Sequence, residues 1–151
     1  MAITRSKAKS RRDKGSFTSI PHSYMTSEAM CQASGKAYRL VIFLSSQLRF
    51  DKQGIPKNNG NLCATWSMAK KQGFRSQETL SEAIKECLHL ELIVRTRQGA
   101  RLNKSYPSLY AVTFLSLGTK VADKQLDVSL TFNPRGKWMG VKSKYLSKRK
   151  K

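Results

Sequence analysis

Acidic residues are scarce in this chain: nine Asp and Glu stand against 29 Lys and Arg in 151 residues, a formal net charge of +20. Histidine is nearly absent, and the two present, His22 and His89, have no ligand or catalytic spacing around them. The three cysteines, Cys31, Cys63 and Cys87, are far apart, odd in number and form no CxxC. That argues against a disulfide framework or a zinc site, and it fits a reducing, cytosolic compartment. There is no GxxxxGK[ST] phosphate loop. No carboxylates cluster for two-metal chemistry, and no Cys/His pair is arranged for nucleophilic attack. The chain therefore reads as non-enzymatic, with no catalytic residue, cofactor or metal expected. Long apolar runs are missing too. "LVIFL" at 40–44 is too short to span a bilayer, and no signal-peptide apolar region is present.

What the chain has in excess is positive charge at its ends. Residues 1–15 carry six basic residues and one acidic, and residues 134–151 carry eight basic and none acidic. Such blocks repel themselves and stay solvated unless a polyanion neutralises them. Nucleic acid is the commonest such partner, because each neutralised phosphate releases condensed counterions. A membrane surface and a plain solubility coat are the alternatives that charge alone leaves. The length fits about one domain. We read 1–15 as a disordered basic arm, 16–117 as the folded domain and 118–151 as a basic C-terminal extension, partly docked.

Within the domain, Phe17 and Ile20 are expected to pin the chain onto the core, and Thr26 or Ser27 to cap a short helix through Gln32. The stretch 34–50 has Ser34 as a plausible N-cap. Ala37, Leu40, Val41, Leu44 and Leu48 make one apolar stripe there, widened by Tyr38, Ile42 and Phe43. "DKQGIPKNNGN" at 51–61 is loop-like, and Leu62-Cys63 reads as a short strand or an extended entry. A helix from Thr65 to Gln72 ends at Gly73, the left-handed C′ residue. Ser76 caps a second helix over 77–89, whose Leu80, Ala83, Ile84, Cys87 and Leu88 form a core-facing stripe. Cys87 reads as a buried free thiol. "LELIVRTR" and "SLYAVTFL", joined by a turn-rich loop, make a hairpin. The order is that of an α+β winged helix-turn-helix, a three-helix core plus a β-hairpin wing, with basic terminal extensions. Beyond it, 125–132 alternates in a way that allows a further strand. Trp138 either docks the tail onto the core, the favoured reading, or stacks on a base.

The run "NNGNLCATWSMAKKQGFRSQETLSEAIKECLHLELIVRTRQGAR" followed by "PSLYAVTF" resembles a family of small winged-helix proteins carried by phages, plasmids and other mobile elements of proteobacteria. The likeness covers roughly residues 17–133, including "LDV" near its end. Here Leu90-Glu91 replaces the usual helix-ending Gly, and Cys87 stands where Leu is more typical. The resemblance implies a DNA-binding helix-turn-helix protein.

The residues suit that chemistry. A second helix enters the major groove with its N-terminal end towards the bases, so Arg75, Ser76, Gln77 and Ser81 are candidate contacts, Gln pairing with adenine. Lys70 and Lys71 end the preceding helix, and Lys85 extends the positive face. Arg95, Arg97, Arg101 and Lys104 cluster in and beside the wing. Arg95 and Arg97 alternate along one strand and should project from one face. Against this, Glu78 and Glu82 are expected to project towards a polyanion, Glu82 pairing with Lys85. The leading expectation is a duplex-DNA binder of a mobile element, acting as transcription regulator or replication-control factor. It would be cytoplasmic and nucleoid-associated, with no membrane partner, as monomer or homodimer. The alternative is an architectural or interaction protein that binds RNA or a nucleoprotein complex.

Overall fold

A computed structural model describes residues 15–100, 105–121 and 126–142 of the chain. In order they form α1 (His22–Met25), α2 (Glu28–Gln32), α3 (Gly35–Ser46), β1 (Leu62–Cys63), α4 (Trp66–Lys71), α5 (Gln77–His89), β2 (Ile93–Arg97), β3 (Leu109–Val112) and a 3-10 turn, Lys137–Gly140. The strands form one antiparallel sheet in the order β1-β3-β2. The protein is thus α+β, a layer of helices on a small sheet, an arrangement compatible with a winged helix.

Local chemistry starts each helix. Ser27, Ser34 and Ser76 are extended N-caps whose hydroxyls accept from the amides of Met30, Ala37 and Thr79, satisfying one orphan donor apiece. Thr65 precedes α4 without a side-chain cap bond, and its hydroxyl meets Ser67 instead. Gly73 ends α4 in the left-handed region, φ 83°. Glu91 takes the same region after α5, φ 54°, the one described non-glycine to do so. Both ends carry the paired Schellman bonds, Phe74 N to Ala69 O with Gly73 N to Lys70 O, and Leu92 N to Cys87 O with Glu91 N to Leu88 O.

The core joins α3, α5 and the sheet. Leu40, Val41 and Leu44 of α3 meet Leu80, Ala83 and Cys87 of α5, with Leu62, Leu92 and Val112 beneath. Tyr24 is fully buried and donates to the Leu92 carbonyl at 2.9 Å. Its ring packs edge-on against Phe114 and Trp138, so the favoured docking of Trp138 is what the fold contains.

Other expectations change. Phe17 is 86% exposed and does not anchor the chain; Ile20 alone packs against the core. The helix expected over 34–50 stops at Ser46. Beyond it the Gln47 carbonyl and the Arg49 amide bond the Asn58 side chain, at 2.8 and 2.7 Å, instead of helix neighbours. Ile42 lies on the outer side of α3 and is 59% exposed. No strand forms over 126–132. Asp127 instead clips the chain to β2: its amide donates to Thr96 O and its carboxylate accepts from Gln98 N. A turn then leaves Leu130 exposed. Arg101, Lys104, most of the two basic tails and Gln125 lie outside the described residues.

Candidate nucleic-acid interface

α5 carries three parallel lines of side chains. The apolar line holds Leu80, Ala83 and Cys87, all buried, with Ile84 and Leu88 half-buried. Burial, and then the charge of Glu86, push the Cys87 thiol up to about 12.

The second line, Glu78, Glu82 and Glu86, is four-residue spaced and turned to intramolecular partners. Glu86 accepts from the Ser34 amide at 2.7 Å and the Ser34 hydroxyl at 2.6 Å, tying α5 to the start of α3. Glu82 forms an ion pair with Lys36 of α3. Its carboxyl is held below the usual range by that hydrogen bond, then by the Lys36 charge, with Lys85 contributing less. Glu78 is held low by its own backbone N–H and then by the Ser76 hydroxyl. Of the carboxylates expected to face a polyanion, Glu82 is thus occupied by α3 and Glu78 is turned to the N-terminus of its own helix. Lys36, not Lys85, pairs Glu82, because the Glu82 line faces α3.

The third line is Gln77, Ser81 and Lys85, again four residues apart and all exposed. These share one face of the helix. Among the described residues, no hydrogen bond holds the side chains of Gln77 or Ser81. The line borders an open cleft of about 520 Å³ between α5 and the β2–β3 hairpin, lined also by Trp66, Gln98, Tyr106 and Tyr110. Beyond the strands, an Ala100–Tyr106 bridge continues the hairpin.

Arg95 and Arg97 stand on that hairpin, but not in simple alternation. Arg95 pairs with Tyr110 and Arg97 with Leu109, so β2 holds an extra residue between them. A bulge of this kind breaks the two-residue period. The guanidinium of Arg95 lies over the Tyr110 ring at 5.8 Å and donates to Gln98 Oε1 at 2.7 Å. That of Arg97 lies over Tyr106 at 4.7 Å and donates to the Pro107 carbonyl at 3.1 Å. Each arginine is therefore stacked on its own ring rather than one of a matched pair on one face.

The remaining candidates sit at the α4–α5 turn. Lys70, Lys71 and Arg75 are exposed. The Ser76 hydroxyl is engaged in capping α5, accepting from Thr79 N at 3.1 Å. Sequence reasoning missed Lys36 and Arg39 of α3. The Arg39 guanidinium donates to the carbonyls of Gln72 and Gly73, at 3.3 and 3.1 Å, and lies where a Cβ on Gly73 would be. Their signal was present: Lys36 and Arg39 are three apart on α3, outside its apolar stripe. Among the described residues, no three His, Cys, Asp or Glu side chains gather into a group that could hold a metal ion. No described helix is long and apolar enough to cross a membrane.

No family model matches the chain, and no curated protein matches its sequence. Among solved structures it is similar to a Rep–DNA complex, with 18% identity over 80% of this chain and 88% of that one and a TM-score of 0.43. That likeness is too distant to carry over what that protein does.

Proposed function

We propose that the protein is a non-enzymatic duplex-DNA-binding protein with a winged helix-turn-helix, in which α4 and α5 are the two helices and the β2–β3 hairpin is the wing. The observation that carries the reading is the division of α5. Glu82 and Glu86 are engaged on the α3 side, and Gln77, Ser81 and Lys85 are left exposed in one line beside the hairpin. A helix in a major groove needs such a line: short polar groups at its N-terminal end for base edges, and a cation further along for a phosphate. Arg95 and Arg97 on the hairpin, Lys70, Lys71 and Arg75 at the turn, and the basic termini add sequence-independent attraction. The role is that of a transcription regulator or replication-control factor of a mobile element, in line with the resemblance of the "NNGNLCATW" to "SLYAVTF" region.

A second reading rests on one observation. Among the described residues the cleft beside Gln77 is lined by Trp66, Tyr106 and Tyr110, and Arg95 and Arg97 stack on the two tyrosines. Aromatic rings beside cations suit unpaired bases, as in single strands and RNA loops.

The test is competition. The full chain is titrated against random duplex DNA, single-stranded DNA and a structured RNA by fluorescence anisotropy, and bound duplexes are then selected from a random pool. The DNA reading expects duplex to win and a sequence to be enriched, with enrichment lost in Gln77→Ala/Ser81→Ala. RNA or single strand winning, with no enriched duplex, would replace it with the second reading.

A further inference from the structure

The α3 side of α5 carries a second cleft, smaller and of different chemistry. It has a volume of about 300 Å³, and Lys36, Arg39, Arg75 and Thr79 line it together with the Gly73 backbone. Its three cations come from two parts of the fold, the first turns of α3 and the α4–α5 turn. Among the described residues no compensating carboxylate lines it. Lys36 alone has an anionic partner, Glu82, and theirs is the one ion pair among the described residues.

We propose that this cleft takes a phosphate of the nucleic-acid backbone, gripped by Lys36, Arg39 and Arg75, and that Glu82 holds the Lys36 ammonium until phosphate displaces it. The inference rests on the nucleic-acid reading above and names the backbone contact on the side of α5 away from the hairpin.

Three arguments carry it. Arg39 is already oriented, because one nitrogen is fixed on the Gln72 and Gly73 carbonyls. A guanidinium has five N–H donors, so most of its fork remains available for an oxyanion. Arg75 is exposed, and among the described residues nothing holds its side chain by a hydrogen bond. Finally, a phosphate here would lie beside the N-terminal end of α5, where one strand borders the groove that α5 enters. The opposite strand would pass the hairpin. α5 is then bracketed by a contact on each side, which sets how deep it sits and in which register.

Glu82 gives the site its test. In the free protein it neutralises Lys36, so it competes with phosphate. Full-length wild type, Lys36→Gln, Glu82→Gln and the double variant are titrated with a random-sequence duplex by anisotropy across a salt series. Both side chains are partly exposed, 33% and 62%, and thermal melts check that each variant folds. Lys36→Gln should bind several-fold more weakly, with a salt slope shallower by about 0.9, one phosphate contact. Lys36→Arg should keep the slope. Glu82→Gln should bind several-fold more tightly, and that gain should vanish in the double variant. An unchanged slope in Lys36→Gln, or an equal gain from Glu82→Gln with and without Lys36, would overturn the site while leaving the functional reading in place. A wild-type chain that binds no duplex would overturn both.

Discussion

Asn59 and Val112 form a two-way hydrogen-bonded pair in the interior: Asn59 Nδ2 donates to the Val112 carbonyl at 3.1 Å, and Asn59 Oδ1 accepts from the Val112 amide at 2.8 Å. The same Nδ2 also reaches the carbonyls of Leu115 and Ser116, at 3.3 and 2.8 Å. Asn59 is fully buried. A side chain here acts as a short piece of β-strand, completing the edge of β3 and holding the 51–61 loop against the sheet.

Asn59→Ala should accordingly be among the most damaging single changes in the protein. It leaves a buried amide and carbonyls without partners, and each such group costs about 1–3 kcal/mol. Urea unfolding followed by circular dichroism should show a loss of at least about 3 kcal/mol. A loss below about 1 kcal/mol would mean that water replaces the amide without strain.

Glu91 should improve on replacement by glycine. A left-handed conformation costs a non-glycine residue about 1–2 kcal/mol, and Glu91 is exposed and, among the described residues, its side chain has no hydrogen bond or ion pair to lose. Glu91→Gly should raise the thermal midpoint, offset in part by the extra freedom of the unfolded chain. Gly73→Ala is the mirror experiment. It should lower the midpoint, since the new methyl meets both the positive φ and the Arg39 guanidinium.

Alkaline pH should destabilise the fold. The Cys87 thiol is pushed up to about 12 from 9.0, by burial first and then by Glu86. The Tyr24 hydroxyl is pushed up as well, by burial first and then by the neighbouring Cys87, against a lowering bond from Thr113. Between pH 9 and 12 the unfolded chain has lost a thiol proton that the folded chain keeps. The contribution is therefore whole below about pH 9 and lost as pH rises towards about 12. Urea midpoints measured from pH 7 to 11 should fall, and fall less in Cys87→Ala when each is referred to its own value at pH 7. Identical relative curves would remove Cys87 as a contributor.

Ser81→Asp should separate the faces of α5. It adds a negative charge to the exposed line, opposing a polyanion directly and drawing on Lys85 four residues further along. Duplex binding should weaken by tenfold or more at low salt, with the melting temperature nearly unchanged. Glu78→Gln removes a carboxylate already turned to its own helix N-terminus and should alter binding by less than Ser81→Asp. The reverse ranking would place the interface on the α3 side alone.

Much of this molecule is legible locally. Ser34 and Ser76 are caps because a short hydroxyl ahead of an apolar-periodic run has one good use. Gly73 ends α4 because few other residues accept its φ. The stripe from Leu80 to Cys87 identifies the buried face of α5, and with it the two outer lines. The β2–β3 hairpin follows from two strand-favouring runs parted by turn residues, whereas the addition of β1 to β3 does not.

What local pattern could not decide is which outer line a partner would meet. Gln77–Ser81–Lys85 and Glu78–Glu82–Glu86 are equally helical, equally polar and equally spaced. Only the packing of α3 against α5 assigns Glu86 to Ser34 and Glu82 to Lys36 and leaves the other line open. The bulge between Arg95 and Arg97, the burial of Asn59 and the absence of a strand over 126–132 have the same origin. In each, a contact between residues far apart in the chain outweighs a local preference worth a few tenths of a kcal/mol to about 1 kcal/mol. Composition and periodicity determine the elements and the positive charge; the meeting of distant side chains decides where that charge is free to act.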